Sequence, residues 1–143
     1  MESTPTMEEV STKIEEAHKI FKTAITSFSL SDKDKTERCK VAVFLAEQAV
    51  IKGLKIYAEE NDLELTQDVY LDVRTIYNEL VRQSKSVFLS RIRSNIGLLS
   101  SYHSSYGIII KGKKLSDNSA YASVLDAAAS ICEMLESYIS SGS

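Results

Sequence analysis

The sequence predicts an all-α protein, an up-and-down bundle of four to five helices around a central apolar helix at about residues 38–60. Three observations predict this fold. The 143-residue chain contains one Pro and five Gly, so few positions interrupt a helix. Aliphatic residues recur at intervals of three and four along most of its length, which is the helical period. Residues 41–58 are apolar at all but five positions, and other helices must cover such a surface.

The first two helices have clear start signals. Thr6 with Glu9, and Ser31 with Asp34, match the capping pattern in which a side chain accepts a free backbone N–H. The first helix is predicted to run to about Ser27. The second begins with charged turns that are expected to project past the bundle or bend away from it. It continues as the central helix, where the few polar residues form a narrow solvent-exposed stripe.

The next helical pattern is too long for one helix. Thr66 is a plausible N-cap, and apolar residues then recur as far as Tyr102, which would make a straight helix of about 55 Å. A compact domain of this size requires a break, either in the polar patch 83–86 or at Gly97. Residues 100–107 predict a helix end and a loop, and residues 116–119 offer several caps for a final helix.

Length and composition limit the protein class. The chain predicts one domain over residues 1–143, with residues 1–5 and 140–143 disordered. Cys39 and Cys132 are isolated thiols, expected to be reduced core residues, and no metal site or cofactor is predicted. No signal peptide or membrane span is recognised, so a cytoplasmic protein without membrane contact is expected.

Charge is distributed unevenly along the chain. Residues 80–116 contain seven basic residues and no Asp or Glu, whereas residues 1–79 contain sixteen acids and ten bases. This asymmetry predicts an anion-binding face, to which Tyr102, His103 and Tyr106 could add stacking or hydrogen bonding. The alternative is that these bases pair with the acids of residues 1–79 across the bundle. No glycine-rich phosphate loop, helical HExxH or serine elbow is present.

The middle of the chain resembles the HEPN family of small helical-bundle domains. Residues 46–55, AEQAVIKGLK, are similar to that family's A-x-Q-A-x-x-K-x-L-K pattern. Residues 66–69, TQDV, stand where many members have T-H-D-L, with Gln67 in place of the histidine. The resemblance is strongest over residues 41–70. It implies a bundle that is usually dimeric, binds nucleotides or RNA, and often acts beside a small nucleotidyltransferase partner.

The resemblance does not extend to the ribonuclease motif. Active family ribonucleases carry Arg, four to six residues, then His, whereas nine residues separate Arg93 from His103. On a straight helix these two would lie about 15 Å apart. The expected histidine positions hold Leu98, Leu99 and Ser100.

The leading hypothesis is a HEPN-like homodimer that binds nucleotide or RNA through a basic face, without efficient catalysis. The alternatives are a structural protein–protein interaction module and a metal-independent ribonuclease toxin of a toxin–antitoxin pair, for which Arg93 and His103 would be the catalytic residues. The apolar pattern from Val87 to Tyr102 is predicted to meet its symmetry mate in the dimer. The predicted binding residues are Arg91, Arg93, Tyr102, His103, Tyr106, Lys111, Lys113 and Lys114.

Overall fold

The computed structural model describes residues 5–105, 109–110, 113–114 and 118–141, and their side chains outside 101–119. Within these residues the chain forms five helices that pack against each other and one short antiparallel strand pair. The predicted all-α bundle is confirmed. The elements in chain order are α1 (Met7–Thr26), α2 (Asp32–Glu60), α3 (Val73–Gln83), α4 (Val87–Ser105), β1 (Ile109–Ile110), β2 (Lys113–Lys114) and α5 (Asn118–Ser140).

Both predicted caps are present at the starts of α1 and α2. The Glu9 N–H donates to Thr6 Oγ1 at 3.2 Å, and the Asp34 N–H donates to Ser31 Oγ at 3.2 Å. Each bond satisfies one of the free donors at a helix start, typically contributing about 1 kcal/mol. These bonds fix where both helices begin.

The central position of α2 follows from its packing. It contacts α1, α3 and α5, and most of its residues from Cys39 to Ala58 are buried. Its charged first turn, Asp32–Asp34, is exposed. No described helix is long and apolar enough to cross a membrane.

One of the four polar residues of the predicted stripe on α2, Glu47, is buried, so that part of the prediction is wrong. Glu47 Oε2 accepts the N–H of Val73 at 3.2 Å, because the free donors at the start of α3 attract a carboxylate. Gly53 lies against α5, where a Cβ atom would stand 2.6 Å from Leu135 Cδ2. The glycine therefore allows α2 and α5 to approach closely.

The buried thiols and the histidine of α1 agree with the sequence. Cys39 and Cys132 are buried and free, and burial raises the pKa of the Cys132 thiol to about 12. His18 is half-buried at the edge of α1, with Nδ1 3.0 Å from the Ile14 carbonyl oxygen and Nε2 3.9 Å from Asp126 Oδ1 on α5. It packs between α1 and α5.

The predicted cap at Thr66 is wrong, because α3 begins at Val73 with Asp72 as its N-cap. Thr66 instead binds the carboxylate of Glu79 on α3, through its N–H at 3.0 Å and its hydroxyl at 2.9 Å. The Tyr70 hydroxyl donates to the same carboxylate at 2.8 Å. A buried carboxylate is a stronger partner for Thr66 than a new helix turn, so the segment stays non-helical.

The environment of Glu79 alters its pKa in two opposing ways. The residue is only 5% exposed, and burial alone would raise the pKa of the carboxyl. The hydrogen bonds from Thr66 and Tyr70, with the charge of Arg82, more than offset this and hold the pKa below its ordinary value. Glu79 therefore joins the α2–α3 connection to α3 as an ionised group.

The long helical pattern breaks at the first of the two predicted places. α3 ends at Gln83 and α4 begins at Val87, and Ser86 Oγ accepts the Leu89 N–H at 3.1 Å as the cap of α4. Gly97 lies inside α4, so a break there is wrong. α4 also continues to Ser105, beyond the predicted end near Ser100, because the described backbone remains helical through residues 100–105.

The apolar stripe of α4 is covered within a single chain. Its members pack against α3 and α5, because the break after Gln83 folds α4 back onto the bundle. The prediction that this stripe meets a symmetry mate is therefore wrong. The buried members are Phe88, Leu89, Ile92, Ile96 and Leu99.

The end of the described chain is helical and not disordered. α5 continues to Ser140, and the Ser141 N–H donates to the Ser137 carbonyl at 3.1 Å. Residues 140 and 141 therefore extend the last turns of α5, and residues 142 and 143 of the predicted tail lie outside the described residues.

Candidate anion-binding surface

The two predicted arginines lie on opposite edges of the exposed face of α4. Arg91 and Arg93 are both exposed, and two residues along a helix differ by about 200° in direction. Arg91 lines a groove between α4 and α5. Arg93 lies toward α3, close enough to Tyr77 that its charge partly opposes the rise that burial causes in the Tyr77 pKa.

The other predicted binding residues lie partly or wholly outside the described part. Tyr102 and His103 belong to the last turns of α4, and Lys113 and Lys114 form β2, paired with Ile110 and Ile109. The side chains of these four residues are outside the described set. Tyr106 and Lys111 lie outside the described residues altogether.

Four cations near the α3–α4 break are exposed and form no ion pair with an acid among the described residues. They are Arg82, Lys85, Arg91 and Arg93. Across the described residues, ion pairs form between Lys40 and Glu37 and between His18 and Asp126, and none includes these four cations. For Lys85, Arg91 and Arg93, the alternative in which the basic segment is neutralised by acids of residues 1–79 is therefore not seen, whereas the charge of Arg82 acts on Glu79.

The groove beside Arg91 has a mixed polar and apolar lining. It has a volume of about 490 Å³ and is open to solvent. The α4 side contributes a guanidinium and an aromatic ring, and the α5 side contributes hydroxyl groups, a thioether and one carboxylate. Its lining residues are Phe88, Arg91, Glu133, Met134, Ser137, Tyr138 and Ser141.

Three aromatic rings hold the wall of this groove together. The ring centroids of Tyr57 and Phe88 are 5.0 Å apart, and that of Tyr138 lies 5.2 Å from each. The Tyr57 hydroxyl donates to Ser86 Oγ at 2.7 Å and the Tyr138 hydroxyl to Asn61 Oδ1 at 2.9 Å. The cluster thus joins α2, α4 and α5, and it fixes the backbone that carries Arg91.

Sequence reasoning missed this cluster, because its rings come from three distant parts of the chain. Tyr57 and Tyr138 each fit the apolar stripe of their own helix. Only the packing of the helices brings them together.

The groove can bind an anion at one edge only. Arg91 offers charge-assisted hydrogen bonds to a phosphate oxygen, whereas Glu133 on the facing helix repels the same group. A phosphate would therefore contact Arg91 from the outer side of α4, away from α5.

The helical geometry does not bring the two weak catalytic candidates together. α4 is continuous from Val87 to Ser105, so the backbone positions of Arg93 and His103 differ by about 15 Å along its axis. No group of three or more His, Cys, Asp or Glu able to hold a metal ion occurs among the described residues.

Comparisons with known proteins give no match. No family model matches the chain, and neither a curated protein nor a solved structure does. The resemblance to the HEPN family therefore stays a prediction from the residues that carry it.

Proposed function

We propose that this chain is a HEPN-like homodimeric domain that binds single-stranded RNA across α4 without cleaving it. The observation that carries the proposal is the set of exposed cations without ion pairs, Arg82, Lys85, Arg91 and Arg93. They lie in a segment with no acid from residue 80 to residue 116. A polyanion can bind these cations without breaking an existing ion pair, which favours binding.

The spacing of these cations favours an RNA strand over a free nucleotide. Arg91 and Arg93 point to opposite edges of a helix that is about 10–12 Å wide with its side chains. One phosphate cannot contact both, whereas a strand that crosses α4 brings several phosphates along the surface. Tyr102, His103, Lys113 and Lys114 follow in the chain and would extend the same path.

We expect RNA binding to depend steeply on salt. Each neutralised phosphate contributes a slope of about -0.7 to log K against log salt for a single strand, so four contacts predict a slope near -3. The measurement is a titration of the purified protein with labelled single-stranded RNA at several salt concentrations. A mononucleotide should bind far more weakly in the same assay.

A charge-reversal experiment compares two matched pairs of exposed arginines. Arg91→Glu with Arg93→Glu should abolish most of the binding and flatten the slope, while Arg38→Glu with Arg74→Glu, exposed on α2 and α3, should weaken it only slightly. Both pairs change net charge equally. Equal losses in the two variants would mean that overall charge, and not this surface, attracts RNA.

The His103→Ala variant tests catalysis. We expect no RNA cleavage by the wild type and only a small loss of binding in the variant, since one stacking or hydrogen-bonding contact is removed. A cleavage gel run on the titration samples provides the measurement. Wild-type cleavage that disappears in His103→Ala, while binding persists, would restore the ribonuclease hypothesis.

A second candidate function is a protein–protein interaction module. The exposed apolar residues Val41 and Phe44 on α2 favour it, because large exposed apolar side chains often mark contact surfaces. Absence of RNA binding, together with a partner contact that is insensitive to salt, would favour this function. A small nucleotidyltransferase is the partner that the family resemblance implies.

A further inference from the structure

The outward face of α2 exposes apolar side chains near its middle. Val41 is 50% exposed and Phe44 is 53% exposed, and Gln48 follows one turn later. Spacings of three and four place these residues in one stripe along the helix. Because most of the other residues from Cys39 to Ala58 are buried, this stripe is the side of the middle of α2 that the fold leaves open.

The connection that precedes α3 borders the same face. Lys55 Nζ donates to the Asp68 carbonyl oxygen at 2.7 Å, which holds the segment beside α2. Val69 and Leu71 in this segment are also exposed. The open face of α2 therefore has further apolar surface at its edge.

Within the stripe, the acidic side chains come before the apolar centre and the basic ones after it, and Lys33 and Arg38 are exposed beside the acidic end. Asp34 and Glu37 are exposed before the apolar centre, and Lys52 and Lys55 are partly exposed after it. In an antiparallel pair of identical helices, the register that places Glu37 opposite Lys52 of the other copy also places Asp34 opposite Lys55. Glu37 lies 3.4 Å from Lys40 in the same chain, and its exposed carboxylate can accept a second donor.

The same register aligns the apolar centre with itself. It brings the two copies of Phe44 together at the two-fold axis and places Val41 opposite Gln48. An isologous contact requires such self-complementarity, in which one patch serves both subunits. The stripe thus matches its own inverted copy in charge, and its Phe44 rings meet at the two-fold axis.

We infer that a second copy of this chain docks on this face, with the two α2 helices antiparallel. The inference rests on the homodimer included in the proposed function, but not on RNA binding, since none of the four exposed cations belongs to α2. The inferred dimer contact therefore lies on α2. It does not involve the α4 stripe, which is already covered within a single chain.

The first test is the oligomeric state of two matched variants, measured by sedimentation or light scattering across the micromolar range. We expect a dimeric wild type, a monomeric Phe44→Glu variant, and a dimeric Phe28→Glu variant. Phe28 is 105% exposed and lies between α1 and α2, so it controls for the loss of an exposed ring. A monomeric wild type, or two variants that behave alike, would overturn the inference.

The second test exchanges charges across the two-fold axis of the inferred dimer. Glu37→Lys or Lys52→Glu alone should weaken dimerisation about tenfold, because symmetry makes each substitution break two pairs and create repulsion. The double variant should return to within about threefold of the wild type. Additive weakening in the double variant would contradict the antiparallel register.

RNA binding provides an independent readout for the same variants. Monomeric Phe44→Glu should still bind RNA, since the α4 cations are untouched. A dimer that binds no RNA would reject the RNA-binding part of the proposed function while leaving the docking surface intact.

Discussion

Ala49→Asp is expected to unfold the protein. Ala49 is fully buried on α2, and its neighbours in the core are apolar. A carboxylate there would lose its hydration without gaining a partner, with an expected penalty of about 4 kcal/mol or more. Since the free energy of unfolding of small domains is about 5–15 kcal/mol, this change removes much or all of it.

Thermal or urea unfolding followed by circular dichroism provides the measurement. Arg38→Asp is the matched control, because it places the same residue on the same helix at an exposed position. It should change the free energy of unfolding by at most about 1 kcal/mol. An unchanged melting temperature in Ala49→Asp would show that α2 is not the centre of the core.

Glu79→Ala is expected to lower the free energy of unfolding by about 3 kcal/mol. The substitution removes the acceptor for two donors of Thr66 and for the Tyr70 hydroxyl, and bonds to a charged group contribute about 1.5–3 kcal/mol each. Tyr70 is buried, so its hydroxyl cannot turn to solvent. Asn78→Ala, exposed on the same helix, should leave stability nearly unchanged.

The low pKa of Glu79 also predicts how stability depends on pH. Because folding favours the ionised carboxylate, its contribution is fully present above the ordinary pKa of 4.5 and is lost as the pH falls through the lower folded-state value. Urea midpoints should therefore fall with acid more steeply in the wild type than in Glu79→Gln. Parallel pH profiles would mean that Glu79 is not ionised in the folded protein.

The sequence predicted the features of this fold that depend on local spacing. The caps at Thr6 and Ser31 and the helical period of α2 are properties of short segments, and the structure has all of them. The break at residues 83–86 was one of two possibilities. It could be placed only by the packing of α4 on α5, which a single-sequence pattern does not contain.

The errors came from contacts between distant segments. Thr66 has the composition of a cap, but its partner, the Glu79 carboxylate, is thirteen residues away. Glu47 looked solvent-exposed, yet it binds the start of α3. In the candidate site, the count of charges identified Arg91 and Arg93 but not the directions in which they point. The ring cluster of Tyr57 could not be predicted from local spacing, because its rings come from three helices.

The packing of α5 has a consequence for folding during synthesis. α5 is the last of the five described helices, yet it packs against α1, α2 and α4. Until Tyr121 to Leu135 have left the ribosome, the parts of those three helices that α5 buries have no cover. The nascent chain therefore exposes surface that chaperones recognise, and the cooperative folding step comes only after translation has passed α5.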